Sequence, residues 1–394
     1  MISRHLARML VVLLIAAGAG MPGAALAQQP IRIGASISLT GTYAKPGVYG
    51  REGYLLCQKQ VSERGGLFGR KVEFALYDDR SDPQTGVRLY EKLITEDKVD
   101  AVMGPYSSAI TEAVANVTEK YGKVMLAPLA STTSIWEKGR KNLFMVVSPA
   151  EAYFEGMINL AARSGLKTIA LINEDTLFPK ASAKGAAELA KKSGLEIVFQ
   201  EAYPKGNTDF SAILTKVKAA RADVLGAATY FDDVVAITRQ MKELDVNVKM
   251  FGSTVGGDLP EFYKLLGKTA EYIYGASQWE TGLPYPGARE FVEAYEKEFG
   301  RPPSYHSASA YAGCQLLVDA AARAGTLDAD KLRAELLKLR TRTMFGDYAV
   351  DERGFQIGHK MVTIQWQDGK QVVVWPDEVA AGKPRFPTPP WQRR

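Results

Sequence analysis

The chain has 394 residues, enough for about two domains of ordinary size. With 46% hydrophobic and 24% charged residues and no low-complexity block, its composition is that of a folded globular protein and excludes a disordered chain. Its formal net charge of +5 is too small, and its charges too evenly mixed, to indicate a surface that binds nucleic acid.

The N-terminal segment has the features of a secretory signal peptide. "MISRHLARM" carries two arginines and no acid, "LVVLLIAAGAG" is an uninterrupted apolar stretch, and "ALA" places small residues before a cleavage site after Ala27. A membrane anchor is the less favoured alternative, because the apolar stretch is shorter than the roughly 20 residues that a span needs. Residue 28 is Gln rather than Cys, so a lipid anchor is not indicated. We predict that residues 1–27 are removed on secretion.

From residue 31 onward, short apolar runs alternate with amphipathic stretches of helical spacing. Asp82 is placed to cap one of these helices, with Pro83 at its first position. This repetition of strand, helix and strand is typical of a mostly parallel sheet with helices on both faces. Strands are predicted at 31–38, 71–79, 99–104 and 123–128, and helices at 49–66, 83–97 and 108–122.

The same pattern starts again near residue 148, so we predict a second α/β unit of similar size. No linker rich in Pro, Ser or Gly separates the two units, which favours two lobes that share several crossovers. A β-rich segment closes the pattern, and its "DERG" and "QDGK" turns suit hairpins. The predicted helices are 151–165, 178–194, 210–222, 232–246, 287–300 and 307–325; the strands are 167–173, 195–204, 223–230 and 249–254, before the β-rich 348–375.

Small hydroxyl residues follow three strands of the first unit, in "SLTGTYAKPG", "PYSS" and "LASTTS". In open α/β sheets, ligands bind outside the carboxyl ends of the strands. A helix that begins at Ser107 or Ser108 offers unpaired N–H groups to a small carboxylate. Each loop alone could simply cap its own helix, but three such loops at one sheet edge favour ligand binding. Four aromatic residues could wall the pocket: Tyr43, Tyr106, Phe178 and Tyr230.

The sequence contains none of the common catalytic or cofactor motifs. It has no phosphate-binding loop, no G-x-G-x-x-G after a strand, no H-E-x-x-H and no G-x-S-x-G elbow. His306 and His359 have no partners at metal-binding spacing, so we expect no metal, no cofactor and no enzymatic activity. Cys57 and Cys314 lie in apolar helical patterns; burial as small hydrophobic residues is favoured, and a disulfide over this separation is not predicted.

Five stretches carry a resemblance to a known family: "IRIGASISLTGTYAKPG", "YDDRSDPQTG", "VMGPYSS", "LAPLASTTS" and "GRPPSYHSASAYAG". In order and spacing, they resemble the periplasmic leucine/branched-chain amino acid binding proteins of ABC importers, over nearly all of the mature chain. The resemblance implies two doubly wound α/β lobes of the type I periplasmic binding fold, joined by three interlobe crossovers. It implies lobe one at 28–147 plus 279–345 and lobe two at 148–278 plus 346–380. The proline-rich end, 381–394, is expected to be a flexible tail.

The resemblance also implies where a ligand is held. In this family, a hydroxyl in the loop that matches "GPYSS" and a backbone group plus hydroxyl in the loop that matches "PLAS" hold an amino acid's carboxylate and ammonium. These positions fall on Ser108, Leu129 and Ser131.

Aromatic residues complete the implied pocket. The family's second-lobe aromatics correspond to Phe178 and Tyr230. Tyr43 and Tyr106 lie in matching pocket-side loops, and Tyr305 is a weaker match.

The sequence departs from the family pattern at two places. Leucine-binding members have an acid that pairs with the ammonium in the loop that corresponds to "GSTVGG", where this chain has Thr254, and neither Asp232 nor Asp258 is an obvious replacement. Burial of an ammonium without an acid is costly, which favours an aromatic acid over a free α-amino acid. The cysteine pair of some members is replaced by Ser81 and Ser107.

Together, these features predict a monomeric periplasmic substrate-binding protein of an ABC importer. It would deliver a small carboxylate, either a branched-chain or other amino acid or an aromatic acid, to a permease in the inner membrane. Two alternatives stay open: a secreted enzyme on a doubly wound fold, and a ligand-sensing partner of a membrane receptor.

Overall fold

The computed structural model describes residues 29–394 of the protein. The predicted signal peptide, 1–27, lies outside the described residues. Within them, none of the helices combines the length and the apolar character that crossing a bilayer requires.

The first lobe is built on a five-stranded parallel sheet. Its strands lie in the order β2-β1-β3-β4-β5. Along β1 and β2, the pairing runs from Ile31 opposite Val72 to Ile37 opposite Asp78. Asp82 accepts a hydrogen bond of 2.7 Å from the Thr85 N–H at the start of α2, which confirms the predicted cap. The elements are β1 (Ile31–Ile37), α1 (Ala44–Glu63), β2 (Val72–Asp78), α2 (Pro83–Thr95), β3 (Ala101–Met103), α3 (Ser108–Lys120), β4 (Met125–Ala127) and β5 (Leu143–Met145).

The second lobe is built on a seven-stranded sheet in the order β14-β13-β10-β9-β8-β6-β7, parallel from β10 to β7 and antiparallel at β13 and β14. The predicted "QDGK" hairpin is present: Asp368 and Gly369 both have positive φ, as a tight two-residue turn requires. The elements are α4 (Glu155–Arg163), β6 (Thr168–Glu174), α5 (Leu177–Lys192), β7 (Glu196–Tyr203), α6 (Ser211–Ala220), β8 (Val224–Ala228), α7 (Phe231–Glu243), β9 (Met250–Ser253), α8 (Pro260–Leu266), β10 (Tyr274–Ser277), β13 (Val362–Gln367) and β14 (Lys370–Trp375).

After β10 the chain returns to the first lobe, where α10 packs along α1. The chain therefore crosses between the lobes three times, near 146–154, 278–287 and 350–361. The elements of this return are α9 (Ala288–Phe299), α10 (Tyr305–Ala324), α11 (Ala329–Lys338) and a small antiparallel pair, β11 (Arg340–Thr343) with β12 (Gly346–Ala349).

Hydrogen bonds tie the three crossovers to one another. The Gln278 amide accepts from the Ser148 N–H (2.9 Å) and donates to the Ser148 carbonyl (3.2 Å). The Gln278 carbonyl accepts from His359 Nε2 (2.8 Å), and Ser148 Oγ donates to the His359 carbonyl (3.0 Å). One buried side chain from each crossover thus joins the three crossovers to one another.

Two features differ from the sequence-based expectations. Cys57 and Cys314 are not free: they form a disulfide that joins α1 to α10, across 257 residues of sequence. Residues 381–394, expected to be a flexible tail, are packed on the second lobe. Trp391 is 6% exposed and donates from Nε1 to the Val246 carbonyl (2.7 Å), because a large indole gains from burial once its N–H has an acceptor.

Candidate functional site

A small cavity lies between the lobes, at the carboxyl ends of both sheets. The first lobe contributes the loops after β3 and β4 and the start of α10. The second lobe contributes the residues just before or within the first turns of its helices. The cavity is lined by Tyr106, Ser107, Ser108, Pro128, Leu129, Ala130, Ser131, Val147, Tyr153, Phe178, Tyr230, Val255, Tyr305 and His306.

The helix α3 begins at the cavity, and Ser108 is its first residue. Ser108 Oγ accepts hydrogen bonds from the backbone N–H groups of Ser131 (3.2 Å) and Thr132 (3.3 Å). A serine hydroxyl has two acceptor positions and one hydrogen to donate. With both acceptor positions used, Ser108 is left as a hydrogen-bond donor, beside the unpaired N–H groups and positive dipole end of α3. This arrangement suits an anion.

The loop after β4 is held against the start of α3. The Leu129 carbonyl accepts from the Ser107 N–H (3.2 Å), and the Ser131 carbonyl accepts from the Ala150 N–H (2.8 Å). The resemblance implied a backbone group at Leu129 as a ligand contact; its carbonyl orients this loop. Ser131 lines the cavity beside Ser108.

Aromatic rings from both lobes meet around the cavity. Tyr230 lies at the centre, with ring centroids 5.7 Å from Phe178, 6.4 Å from Tyr106 and 4.5 Å from Tyr43. Tyr43 does not line the cavity; it packs behind Tyr106 and Tyr230. The sequence missed Tyr153, which lines the cavity 4.9 Å from Phe178, because it lies in a crossover with no strand directly before it.

Thr254 does not reach the cavity. Its Oγ1 donates to the Thr229 carbonyl and accepts from the Thr229 N–H, both at 2.9 Å, so its side chain ties the loop after β9 to the loop after β8. The neighbouring Val255 lines the cavity instead. The position that the resemblance assigned to the ammonium partner is thus structural in this chain.

The described residues that line the cavity include no Lys, Arg, Asp or Glu. Several buried acids lie outside the lining, Asp258 and Glu174 among them. Burial raises the pKa of Asp258 to about 7 and raises the pKa of Glu174, whose Oε2 has no partner among the described residues. Residues 29–394 contain no group of three His, Cys, Asp or Glu side chains placed to hold a metal ion.

His306 also lines the cavity, although it was not among the predicted site residues. It is 1% exposed, and burial lowers its pKa to about 3, so the imidazole is neutral. Only the start of α10 at the cavity, next to the weaker candidate Tyr305, could have pointed to it.

Comparisons with known proteins agree with one another. A family model described as periplasmic binding protein matches residues 30–371. A Leu/Ile/Val-binding protein homolog of Brucella melitensis is 27% identical, over 98% of this chain and 99% of that protein. The leucine-binding protein LivK of Thermotoga maritima superposes with a TM-score of 0.80 at 23% identity, covering 87% of this chain and 97% of that one. A solute-binding protein of Rhodopseudomonas palustris, in complex with benzoate, has a TM-score of 0.77 at 18% identity, covering 90% and 99%.

Proposed function

Because the chain belongs to the periplasmic binding protein family, we propose that it is the substrate-binding protein of an ABC importer. In this proposal it acts in the periplasm, performs no chemistry on its ligand, and carries a small carboxylate to a permease in the inner membrane. The observation that supports this most directly is the Ser108 hydroxyl, which is left only as a donor inside a cavity between two lobes.

Among small carboxylates, we favour an aromatic acid. The rings of Tyr106, Phe178 and Tyr230 offer flat apolar surface to a ligand held between the lobes. An α-amino acid would bring an ammonium into a lining without a carboxylate, which costs free energy. Branched-chain amino acids are the second candidate, since the Brucella and Thermotoga relatives are named for binding them.

Ligand binding would close the lobes. Donors at the start of α3 hold the carboxylate on the first lobe, while Tyr230 and Phe178 contact the ligand from the second. A ligand shifts such an equilibrium only by its differential affinity for the two states, and the second-lobe contacts exist only when the lobes meet.

The test is a thermal-shift screen of benzoate, hydroxybenzoates and cinnamate against leucine and valine. A ligand present at about 100 times its Kd stabilises the folded state by about 2.7 kcal/mol, so the true ligand should raise the midpoint clearly. We expect aromatic acids to do so. Tight binding of leucine or valine without any response to aromatic acids would overturn the preference for an aromatic ligand, and no response to any carboxylate would overturn the proposed function.

Substitution of Ser108 tests the assigned carboxylate contact. Loss of a hydrogen bond to a charged group costs about 1.5–3 kcal/mol, so Ser108→Ala should weaken carboxylate binding about ten- to hundredfold in calorimetry. The variant also leaves two buried N–H groups without their acceptor and should melt earlier. Ser36→Ala is the matched control: it removes a buried hydroxyl that donates to Asp79 (2.8 Å), away from the cavity, and should lower the midpoint but not the affinity. Equal affinities for the wild type and Ser108→Ala would show that the contact is wrongly assigned.

A further inference from the structure

His306 contributes the one imidazole ring among the described residues that line the cavity. His306 is the second residue of α10, and its ring stacks on Tyr305 (centroids 3.9 Å apart, planes at 24°) and lies 5.5 Å from Tyr106. Its Nε2 has no hydrogen-bond partner among the described residues. Buried polar groups in folded proteins are nearly always paired, so an unpaired one at a ligand cavity points to a partner on the ligand.

The contacts of Ser304 determine which nitrogen carries the proton. Ser304 Oγ accepts backbone N–H groups at the start of α10, including that of His306 (3.2 Å), and lies 3.5 Å from His306 Nδ1. With its acceptor positions used by the helix cap, the serine has its own hydrogen to donate to Nδ1. In a neutral imidazole one nitrogen accepts and the other donates, so Nε2 carries the hydrogen and is a donor without a partner among the described residues.

Besides the hydroxyls of Tyr106 and Tyr305, the first lobe therefore places two separate kinds of donor at the cavity. One is the Ser108 hydroxyl at the start of α3, which suits the carboxylate. The other is a neutral N–H from α10, set between two aromatic rings. A neutral donor can pair with an uncharged oxygen without bringing a second charge into the cavity.

We propose that His306 determines specificity: its Nε2–H donates a hydrogen bond to a second oxygen of the ligand, such as a ring hydroxyl, so that the site selects hydroxyl-substituted aromatic acids over unsubstituted ones. This inference rests on the proposed function of the same cavity. A site built to bond a ligand oxygen rejects an analogue without it, because its own buried group is then left unpaired.

The experiment is isothermal titration of the full mature chain with benzoate and its three monohydroxy isomers. We expect the wild type to bind at least one hydroxy isomer ten or more times more tightly than benzoate. His306→Phe, which has no donor to leave unpaired, should bind benzoate at least as tightly as the wild type and lose the preference for that isomer. His306→Gln, whose amide N–H can donate, should keep part of it, and it also serves as a second variant if the Phe variant folds poorly.

His359→Phe is the matched control. His359 is likewise buried and neutral, with its pKa lowered to about 4 by burial, but it lies at the crossovers and outside the cavity. His359→Phe should change stability without changing the ratio of the affinities for the preferred hydroxy isomer and benzoate.

Two results would overturn the inference while leaving the proposed function intact. In one, His306→Phe keeps the wild-type ratio of affinities for the hydroxy isomer and benzoate; in the other, it weakens the binding of both ligands equally. Binding of benzoate by the wild type without preference for any hydroxy isomer would do the same. If no carboxylate binds the wild type, the proposed function fails and this inference fails with it.

Discussion

At the scale of single residues, Ser107 holds a backbone conformation that L-residues rarely adopt. Its φ is 80° and its ψ is 145°, at the point where α3 begins. It is fixed there by its N–H, which donates to the Leu129 carbonyl, and by its Oγ, which accepts from the Ile110 N–H (3.3 Å). Backbone strain of this kind costs on the order of 1–3 kcal/mol and is found most often at ligand sites. Here the strain sets the direction in which Ser108 and the first N–H groups of α3 face the cavity.

Two substitutions of Ser107 should differ in their effect on the free energy of unfolding. Ser107→Ala removes the cap but keeps the strain, and should lower the free energy of unfolding by about 1 kcal/mol. Ser107→Gly loses little as a cap and relieves the strain, so it should be more stable than the Ala variant by about 1–2 kcal/mol. Denaturant unfolding of the ligand-free proteins measures both. A Gly variant no more stable than the Ala variant would mean that the conformation carries no strain.

At the scale of elements, α1 and α10 bring further aromatic rings to the cleft beside Tyr106, which lies in the loop after β3. Tyr43 precedes α1, and Tyr305 and His306 begin α10, so both helices start at the cleft. The disulfide between Cys57 and Cys314 joins them well inside each helix, outside the cavity lining. It fixes the two helices relative to each other and closes most of the chain into a loop.

Removal of the disulfide should affect stability far more than binding. A cross-link over 257 residues restricts the unfolded chain by up to about 5 kcal/mol, so Cys57→Ala/Cys314→Ala should unfold at clearly lower denaturant. Ligand affinity should stay within about threefold, because neither cysteine contacts the cavity. A reductant should lower the stability of the wild type toward that of the variant and leave the stability of the variant unchanged. Loss of affinity in parallel with stability would instead mean that the disulfide positions the site.

At the scale of the whole molecule, the two lobes are in contact with each other beyond the cavity. Glu261, on α8 of the second lobe, accepts from Tyr49 Oη (3.1 Å) and pairs with Arg301 (3.2 Å) of the first lobe. Arg301 also pairs with Glu52 (2.7 Å) and stacks over the Tyr49 ring. On the other side of the cleft, Lys205 donates to the Ser81 carbonyl (3.1 Å). These contacts favour the closed arrangement independently of the ligand.

Neutralising Glu261 should weaken ligand binding from outside the cavity. Its partners are partly exposed, so we expect Glu261→Gln to make lobe closure less favourable by about 1 kcal/mol. The affinity should fall about fivefold, mainly through faster dissociation. Stopped-flow or surface-plasmon kinetics would measure this. Glu293→Gln is the matched control, because Glu293 pairs with Arg289 within α9 on the exposed surface and does not span the lobes. Unchanged dissociation in Glu261→Gln would show that this contact contributes nothing to closure.

The local part of this architecture could be predicted from the sequence. The alternation of strands and helices, the Asp82 cap, the "DG" hairpin turn and the start of α3 beside Ser108 each depend on residues only a few positions apart. Such patterns follow from backbone hydrogen bonding and from the periods at which side chains reach the core. β5 and β10 were not predicted, although the equally short β3, β4 and β9 were.

By itself, the sequence determined two α/β lobes and the loops that supply hydroxyl and aromatic groups to a common cleft. Only the tertiary structure decided that Cys57 pairs with Cys314, that Thr254 is hydrogen-bonded to Thr229, and that His306 lines the cavity with its Nε2 unpaired among residues 29–394. Those outcomes depend on how α1, α10 and the two sheets pack against one another. Packing brings together residues that lie far apart along the chain, and no local pattern of hydrophobic or capping residues encodes which of them will meet.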